Sequence, residues 1–516
     1  VSAAAAGRFD AIVIGSGFGG AGVAHELVAA GLRVLMLERG DRVARGPENW
    51  RPESAGMLTP HYSRETLIQT HTDRGVKEQG GYYLVGGPSV YYGGVSLRFR
   101  EADFTPSPGL LAGSGGVWPI RYDDLEPWYS RAETLIGVAG VAGDDPTEPR
   151  RSQPFPQAPG RLAQVSERIA AAARELGLRP FRLPLAINYS SNGRAACCAC
   201  TTCDGFACAI SAKNDLATTV LPRLEAQGLA LMSGVVVRKL LAEGGRVVAV
   251  EGVDRRTGAL HRWAAERVVL SAGALASPHL LLASGLARFN PAGDQIGRYL
   301  QRHRNAITFG FFRSPPDPVG EHHKQIGIHD YYFGDPAGGG PEGKLGSLQQ
   351  LPTPPVELVR ANVPRVVGAL AGPMVGRLTG LLAMAEDQPQ AANRVEADSS
   401  RTDRFGLPAL VVHHRYSPRD VAAERVLSRV ARRILRRAGA VLFYRHAIDT
   451  FSHAAGTVRM GDNPTSAPLD PSCRFRGLDN LWVVDASFMP TSAAVNPSLT
   501  IFANALRVGR TIAEQG

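Results

Sequence analysis

Asp10-Ala-Ile-Val-Ile14-Gly15-Ser-Gly17-Phe-Gly-Gly20, with Glu38 downstream, is the stretch from which the rest of the chain is read. Its first five residues are apolar enough for a short buried strand. Ala21 to Ala30 reads as a helix, Arg33 to Leu37 as a second strand, and Glu38 stands at that strand's end. Strand, glycine turn, helix, strand and terminal acid together form a dinucleotide-binding signature. Gly15 permits the turn, Gly17 lets backbone approach a pyrophosphate, and Gly20 lets helix and strand pack closely. The N-terminus of the helix offers N–H groups and a positive dipole end to the phosphates. Glu38 suits the hydroxyls of an adenosine ribose, and the motif alone leaves NAD and FAD equally open.

Outward from this motif, 516 residues are enough for two or more domains, and 44% hydrophobic with 20% charged residues is a globular composition. No uninterrupted apolar run is long enough to span a bilayer. Val1 to Gly7 lacks the charged start and apolar stretch of a secretory signal, so a cytoplasmic location is expected. The net charge is +10, yet 52 of the 57 basic residues are arginine, a skew that reflects coding bias as much as a binding surface. The densest basic stretch, Arg425 to Arg437, lies on a helix that Ser417 caps, Pro418 opens and Gly439 ends. Its arginines alternate with Val426, Val430, Ile434 and Leu435 at helical spacing, which makes a solvated face and gives no reason to expect a nucleic-acid partner.

Further along, Gly86-Gly-Pro-Ser-Val-Tyr-Tyr-Gly-Gly94 sets two glycine pairs around Tyr91 and Tyr92, a loop that can bring backbone and an aromatic ring up to a flat ligand. Helices follow from about Trp118 to Ile136 and from Leu162 to Leu176, separated by a Pro-rich linker at 144–159. Cys197, Cys198, Cys200, Cys203 and Cys208 fall within twelve residues. Their spacing is not that of a zinc site, and no metal ligands are assigned. An iron–sulfur cluster, disulfides and free thiols remain alternatives. Leu229–Val237, Arg246–Asp254 and His261–Ala265 read as a β-meander, and Arg267–Ser271 as a buried strand feeding a glycine turn and a helix to Leu282. Between Arg302 and Arg445, segments at 306–312, 325–332, 381–385, 394–397 and 409–416 predict one antiparallel sheet, with the Gly/Pro-rich stretch 335–364 as a mobile lid. The last seventy residues hold His453 before a Gly456-Thr457 turn, a strand Leu481–Val484 ending in Asp485, and Val495-Asn-Pro-Ser498 opening a helix to about Ala513.

Taken in order, Gly15-x-Gly17-x-x-Gly20 with Glu38, Gly86-Gly87 through Gly94, Gly273-Ala-x-x-Ser277-Pro278, His453-x-x-Gly456-Thr457, and Asp485 with Val495-Asn-Pro497 resemble the glucose–methanol–choline (GMC) flavoprotein oxidoreductases over nearly the whole chain. The resemblance implies an α/β fold: a Rossmann-like FAD-binding domain at 1–300 (with a linker and Cys-rich insertion at 144–225), a smaller α+β substrate domain on an antiparallel sheet at 301–446, and a C-terminal return at 447–516. It turns the dinucleotide into FAD, held by Gly15, Gly17, Gly20, Glu38, Gly87, Ser89, Tyr92, Gly93, Gly94, Val237, Asp485 and Ser498. Many members carry Asn after the second glycine pair and some a flavin-linking His beside it. Tyr92 and Tyr91 stand there, so non-covalent FAD is expected.

By the same resemblance His453 is the active-site base and Asn496 its partner. The chemistry suits an imidazole, since alcohol oxidation requires a group that takes the hydroxyl proton near neutral pH. The implied activity is hydride transfer from the alcohol carbon of a small polar hydroxylated substrate, such as a sugar or aminosugar, to flavin, with oxygen, a quinone or a redox protein as acceptor. Tyr91–Gly94, His329–Tyr332 and the stretch from Asn496 to Arg507 are similar to relatives that oxidise aminoglycoside precursors. An apolar alcohol such as a sterol, and flavin-containing lyase chemistry, are the alternatives.

Overall fold

The computed structural model describes residues 9–191, 193–354, 356, 360 and 372–515. Its centre is a five-stranded parallel sheet in the order β18 (Leu481–Val483), β10 (Ala265–Leu270), β1 (Phe9–Ile14), β2 (Val34–Glu38), β6 (Ala230–Ser233). Every neighbouring pair runs parallel, and the inner strands are apolar on both faces, as a sheet covered on both sides requires. Helix α1 (Phe18–Ala29) leaves the end of β1. Helix α6 (Ser498–Glu514) packs against it at close range: a Cβ on Gly22 would stand 2.7 Å from that of Ala505. Helix α2 (Tyr122–Ile136) covers α6 in turn. The strand, glycine turn and helix at 265–283, ending in α4 (Ala276–Ala283), joins this same sheet.

Around this centre lie three antiparallel or mixed sheets. β7 (Val235–Glu243), β8 (Arg246–Asp254) and β9 (Leu260–Trp263) form the meander. The strand read as Leu229–Val237 divides at Gly234, whose φ of +77° turns the chain out of the parallel sheet. The second is six-stranded, β17 (Leu442–Ala447), β11 (Arg304–Phe311), β14 (Leu378–Ala385), β13 (Gly346–Leu351), β12 (Ile326–Ile328), β5 (Pro180–Arg182). Its outer face is covered by α5 (Pro418–Arg437) and α3 (Gln164–Glu175), which bury Leu427, Val430 and Ile434 against Leu348, Leu381 and Ala383. The insertion at 144–225 thus lends β5 and α3 to this sheet.

The third sheet corrects the expected layout. β15 (Arg394–Thr402) and β16 (Pro408–His413) do not join the six-stranded sheet but pair with the hairpin β3 (Tyr62–Thr72) and β4 (Gly75–Tyr82). That hairpin is mostly polar, and β4 is exposed over its first half, so it carries no apolar alternation to reveal it. The expected lid is corrected as well. Residues 346–351 within it are β13, a buried inner strand held on both sides, and 355, 357–359 and 361–364 lie outside the described residues.

Candidate active site

The dinucleotide end is built by three backbone segments meeting at the top of β1. Gly15 (φ +99°) makes the turn, and a Cβ there would strike the Ser271 carbonyl at 2.3 Å. Gly20 needs its hydrogen for contact, since a Cβ would lie 1.9 Å from the Gly15 oxygen. Gly17 differs: a Cβ there meets no protein atom within 4 Å. The second glycine loop seats on it, with Gly87 Cα backing onto Gly17 and the Gly86 N–H donating to Ser16 Oγ at 2.9 Å. Glu38 accepts from Ser16 N at 3.0 Å and Gly40 N at 2.8 Å, and burial raises its pKa. α1 carries no side-chain cap and no acid in its first turn, and neither does α6, which begins at Ser498. Uncapped N–H groups beside an open face at Gly17 form an anion cradle, so these residues fit a dinucleotide pyrophosphate.

The other expected cofactor residues fall around this cradle. Ser89 accepts from Leu216 N at 3.1 Å and donates to the Gly86 carbonyl, fixing the loop. Tyr92 packs beside Phe18 at the start of α1, ring centres 5.8 Å apart, and its hydroxyl donates to the Asn214 carbonyl. Tyr91 turns the other way, against Tyr82. Gly93 leaves room for the Asp204–Lys324 ion pair, and Gly94 backs onto Ala186 and Ile187. The Gly234 N–H reaches the Gly40 carbonyl, so β7 starts beside the acid end of β2, with Val237 at a bulge three residues on. Asp485 accepts from Gly273 N at 3.1 Å and from Ser277 and Ser487, tying the second glycine turn to the end of β18.

His453 and Asn496 come together from separate loops. His453 Nε2 lies 3.5 Å from Asn496 Nδ2. The imidazole keeps some accessible surface but is enclosed by protein. Burial drives its pKa well below the ordinary histidine value, and His303 and the Lys324 ammonium push in the same direction. Strand alternation supplies the roof. On β13, Leu348 points into the helix-covered core, while Ser347 and Gln349 point to the C-terminal loop. Gln349 Nε2 donates to Asn496 Oδ1 at 2.7 Å, and its own Oε1 is buried without a partner.

Several of these groups have no sequence signal. Gln349 lies in the stretch read as a lid. His303 touches His453 Nδ1 to Nδ1 at 3.1 Å, and Asp387 accepts from the N–H groups of Arg302 and His303. His303 is one histidine in a basic run with no motif around it. A positive φ of +61° sets it apart, and that is visible only in the fold. Lys324 and Asp204 pair at 2.6 Å beside Gly93, and both ring nitrogens of the nearby buried His322 lack partners. The six cysteines are free thiols, and among the described residues no three His, Cys, Asp or Glu side chains gather as metal ligands.

Two GMC oxidoreductase family models match the chain, at residues 85–305 and 389–505. The chain is a GMC oxidoreductase. It is 34% identical over 533 residues to the 6'''-hydroxyparomomycin C oxidase of Streptomyces lividus, covering 98% of this chain and 91% of that protein. It is 31% identical to the paromamine 6'-oxidase of Streptomyces fradiae, again over 98% and 91% of the two chains. Among solved structures, the pyridoxine 4-oxidase of Mesorbium loti shares the fold with a TM-score of 0.68 at 21% identity, over 98% of this chain and 99% of that one. As a GMC oxidoreductase it is an enzyme acting on CH–OH groups, and its dinucleotide is FAD. Among the described residues, no helix is long and apolar enough to cross a membrane.

Proposed function

We propose that this GMC oxidoreductase oxidises an alcohol group, a primary one, on a polar hydroxylated substrate of the sugar, aminosugar or aminoglycoside-precursor class. The observation that carries the reading is the His453–Asn496 pair, 3.5 Å apart beneath Gln349. FAD, when bound, supplies the acceptor for the hydride leaving the alcohol carbon. The protein's part is the proton. His453, neutral in its enclosed position, takes the substrate's hydroxyl proton at Nε2. Asn496 holds the substrate oxygen without competing for that proton, because Gln349 fixes its amide. The uncapped start of α6 at Ser498 favours negative charge nearby.

Polar substrate is supported by the surroundings. Gln349 Oε1 and both His322 nitrogens are buried without partners, and Lys324 and Asp204 add a charged pair. Buried polar groups of this kind are costly unless a ligand satisfies them. The similarity to the two Streptomyces oxidases points the same way. Glu38, Gly15, Gly17, Gly20, Gly87, Ser89, Tyr92, Gly93, Gly94, Val237 and Asp485 complete the proposed FAD site, and a division near residues 300 and 446 separates it from the substrate part. No histidine neighbours Tyr91 or Tyr92, which favours non-covalent FAD; acid precipitation is expected to leave the flavin in the supernatant, and flavin in the pellet refutes this.

The deciding experiment is an anaerobic absorption spectrum of the holoenzyme with sugars, aminosugars and sterols added in turn. Bleaching by an aminosugar alcohol is expected. His453→Ala is expected to keep its flavin spectrum while its reduction slows by a factor on the order of 10²–10⁴. Bleaching by sterols alone, or normal reduction in His453→Ala, contradicts the reading.

A further inference from the structure

The hydrogen bonds around His453 form one chain, and each link has a fixed direction. His303 Nε2 lies 3.2 Å from the Ser492 carbonyl oxygen. A carbonyl only accepts, so this nitrogen carries the proton. A neutral imidazole has one N–H, and His303 is buried and pushed by that burial toward its neutral form. Its Nδ1 is therefore a bare acceptor. That atom faces His453 Nδ1 at 3.1 Å, with the rings nearly perpendicular at 75°. Two bare nitrogens do not bond, so His453 must donate from Nδ1. Its Nε2 is then left with a lone pair, on the side where the Asn496 amide lies. At the far end Gln349 donates to Asn496 Oδ1, which turns the Asn496 NH2 toward His453.

We infer that His303 is a positioning residue that fixes His453 as its Nδ1–H tautomer, leaving Nε2 free for the substrate proton. The inference rests on His453 being the base. The backbone supports it. His303 has φ +61°, a conformation that a side-chain-bearing residue keeps only when its surroundings impose it. Asp387 grips the N–H groups of Arg302 and His303 with its two oxygens, at 2.9 and 3.0 Å. Tyr416 donates to the His303 carbonyl at 2.9 Å, and His414 braces Asp387 at 3.3 Å. In the reaction, the substrate O–H bond breaks and an N–H bond forms at His453 Nε2. The imidazolium so produced keeps its Nδ1–H directed at the lone pair of His303. The charged groups that face the pair are Asp387 on the His303 side, and Lys324 and Asp204 on the His453 side.

The first test reads protonation directly. In the FAD-loaded enzyme labelled with 15N-histidine, long-range 1H–15N correlations, assigned with His303→Asn and His453→Ala, are expected to show His453 protonated at Nδ1 and His303 at Nε2. The reverse pattern at either ring overturns the inference. The second test is anaerobic flavin reduction by the alcohol that bleaches the holoenzyme. Asn tolerates positive φ and offers Oδ1 near the position of the lost Nδ1, so His303→Asn is expected within about tenfold of the parent. His303→Ala is expected to be slower by a factor on the order of 10² with its flavin spectrum intact. His303→Asp places an anion on the imidazolium and is expected to move the acid limb of the rate profile to higher pH. Equal rates and an unmoved limb in all three variants overturn the inference. Loss of reduction in His453→Ala alongside those equal rates removes only His303. Full reduction in His453→Ala removes the base itself.

Discussion

Gly17 and Gly20 stand three residues apart in one motif and are expected to fail in different ways. A side chain at Gly20 has nowhere to go, with the Gly15 oxygen 1.9 Å from the first added carbon. Gly20→Ala is expected to destabilise the folded chain by about 3 kcal/mol, read from denaturant midpoints. Gly17 has no neighbour in that direction. Gly17→Val is expected to leave the melting temperature of the FAD-free protein unchanged and to abolish flavin retention on gel filtration. An equal fall in stability would place Gly17 with the packing glycines instead. His453 carries the pH prediction. A base works in its neutral form, and burial lowers the pKa of this one. The acid limb of flavin reduction is therefore shifted below the ordinary histidine value of about 6.5, and the rate stays level from there upward. A limb centred above that value refutes a neutral, enclosed His453.

Helix α5 shows what a sequence discloses about an element. Ser417 accepts from Asp420 N at 3.2 Å while Asp420 accepts from Ser417 N at 2.9 Å, the reciprocal cap that Ser-Pro-x-Asp announces. From Arg425 onward its arginines are exposed and its aliphatics buried, as the spacing of Val426, Val430 and Ile434 required. Ser417→Ala is expected to cost about 1 kcal/mol and Leu427→Ala about 3 kcal/mol in chemical denaturation, without altering the flavin spectrum. β1, α1 and β2 were legible for a related reason: apolar run, glycine turn and terminal acid agree locally. β13 was not. Its apolar residues are few, its polar Ser347 and Gln349 face the site, and Gly/Pro-rich flanks disguise it. The partner of β3 and β4 lies more than three hundred residues away, and no local pattern encodes such a pairing. At the site, His453 and Asn496 announced themselves through motifs, whereas His303, just before β11, and Gln349, on β13, belong to it only because the six-stranded sheet brings them against the C-terminal loops.

At the scale of the molecule, the proposed FAD site joins segments near residues 15–40, 86–94, 237 and 485–498, which are far apart in sequence and meet only in the folded chain. Free flavin dinucleotide binds only the assembled form, and at a hundred times its dissociation constant it is expected to add about 2.7 kcal/mol of stability. Thermal melting with and without added FAD checks this, and an unchanged midpoint contradicts it. The central sheet carries one more consequence. Its strands come from positions near 9, 34, 230, 265 and 481, and β18 seals one flank of β10. During synthesis that flank stays open for the time needed to make some two hundred further residues, about ten to forty seconds at the usual pace of translation. An apolar strand edge exposed for so long is a template for mispairing until β18 is made.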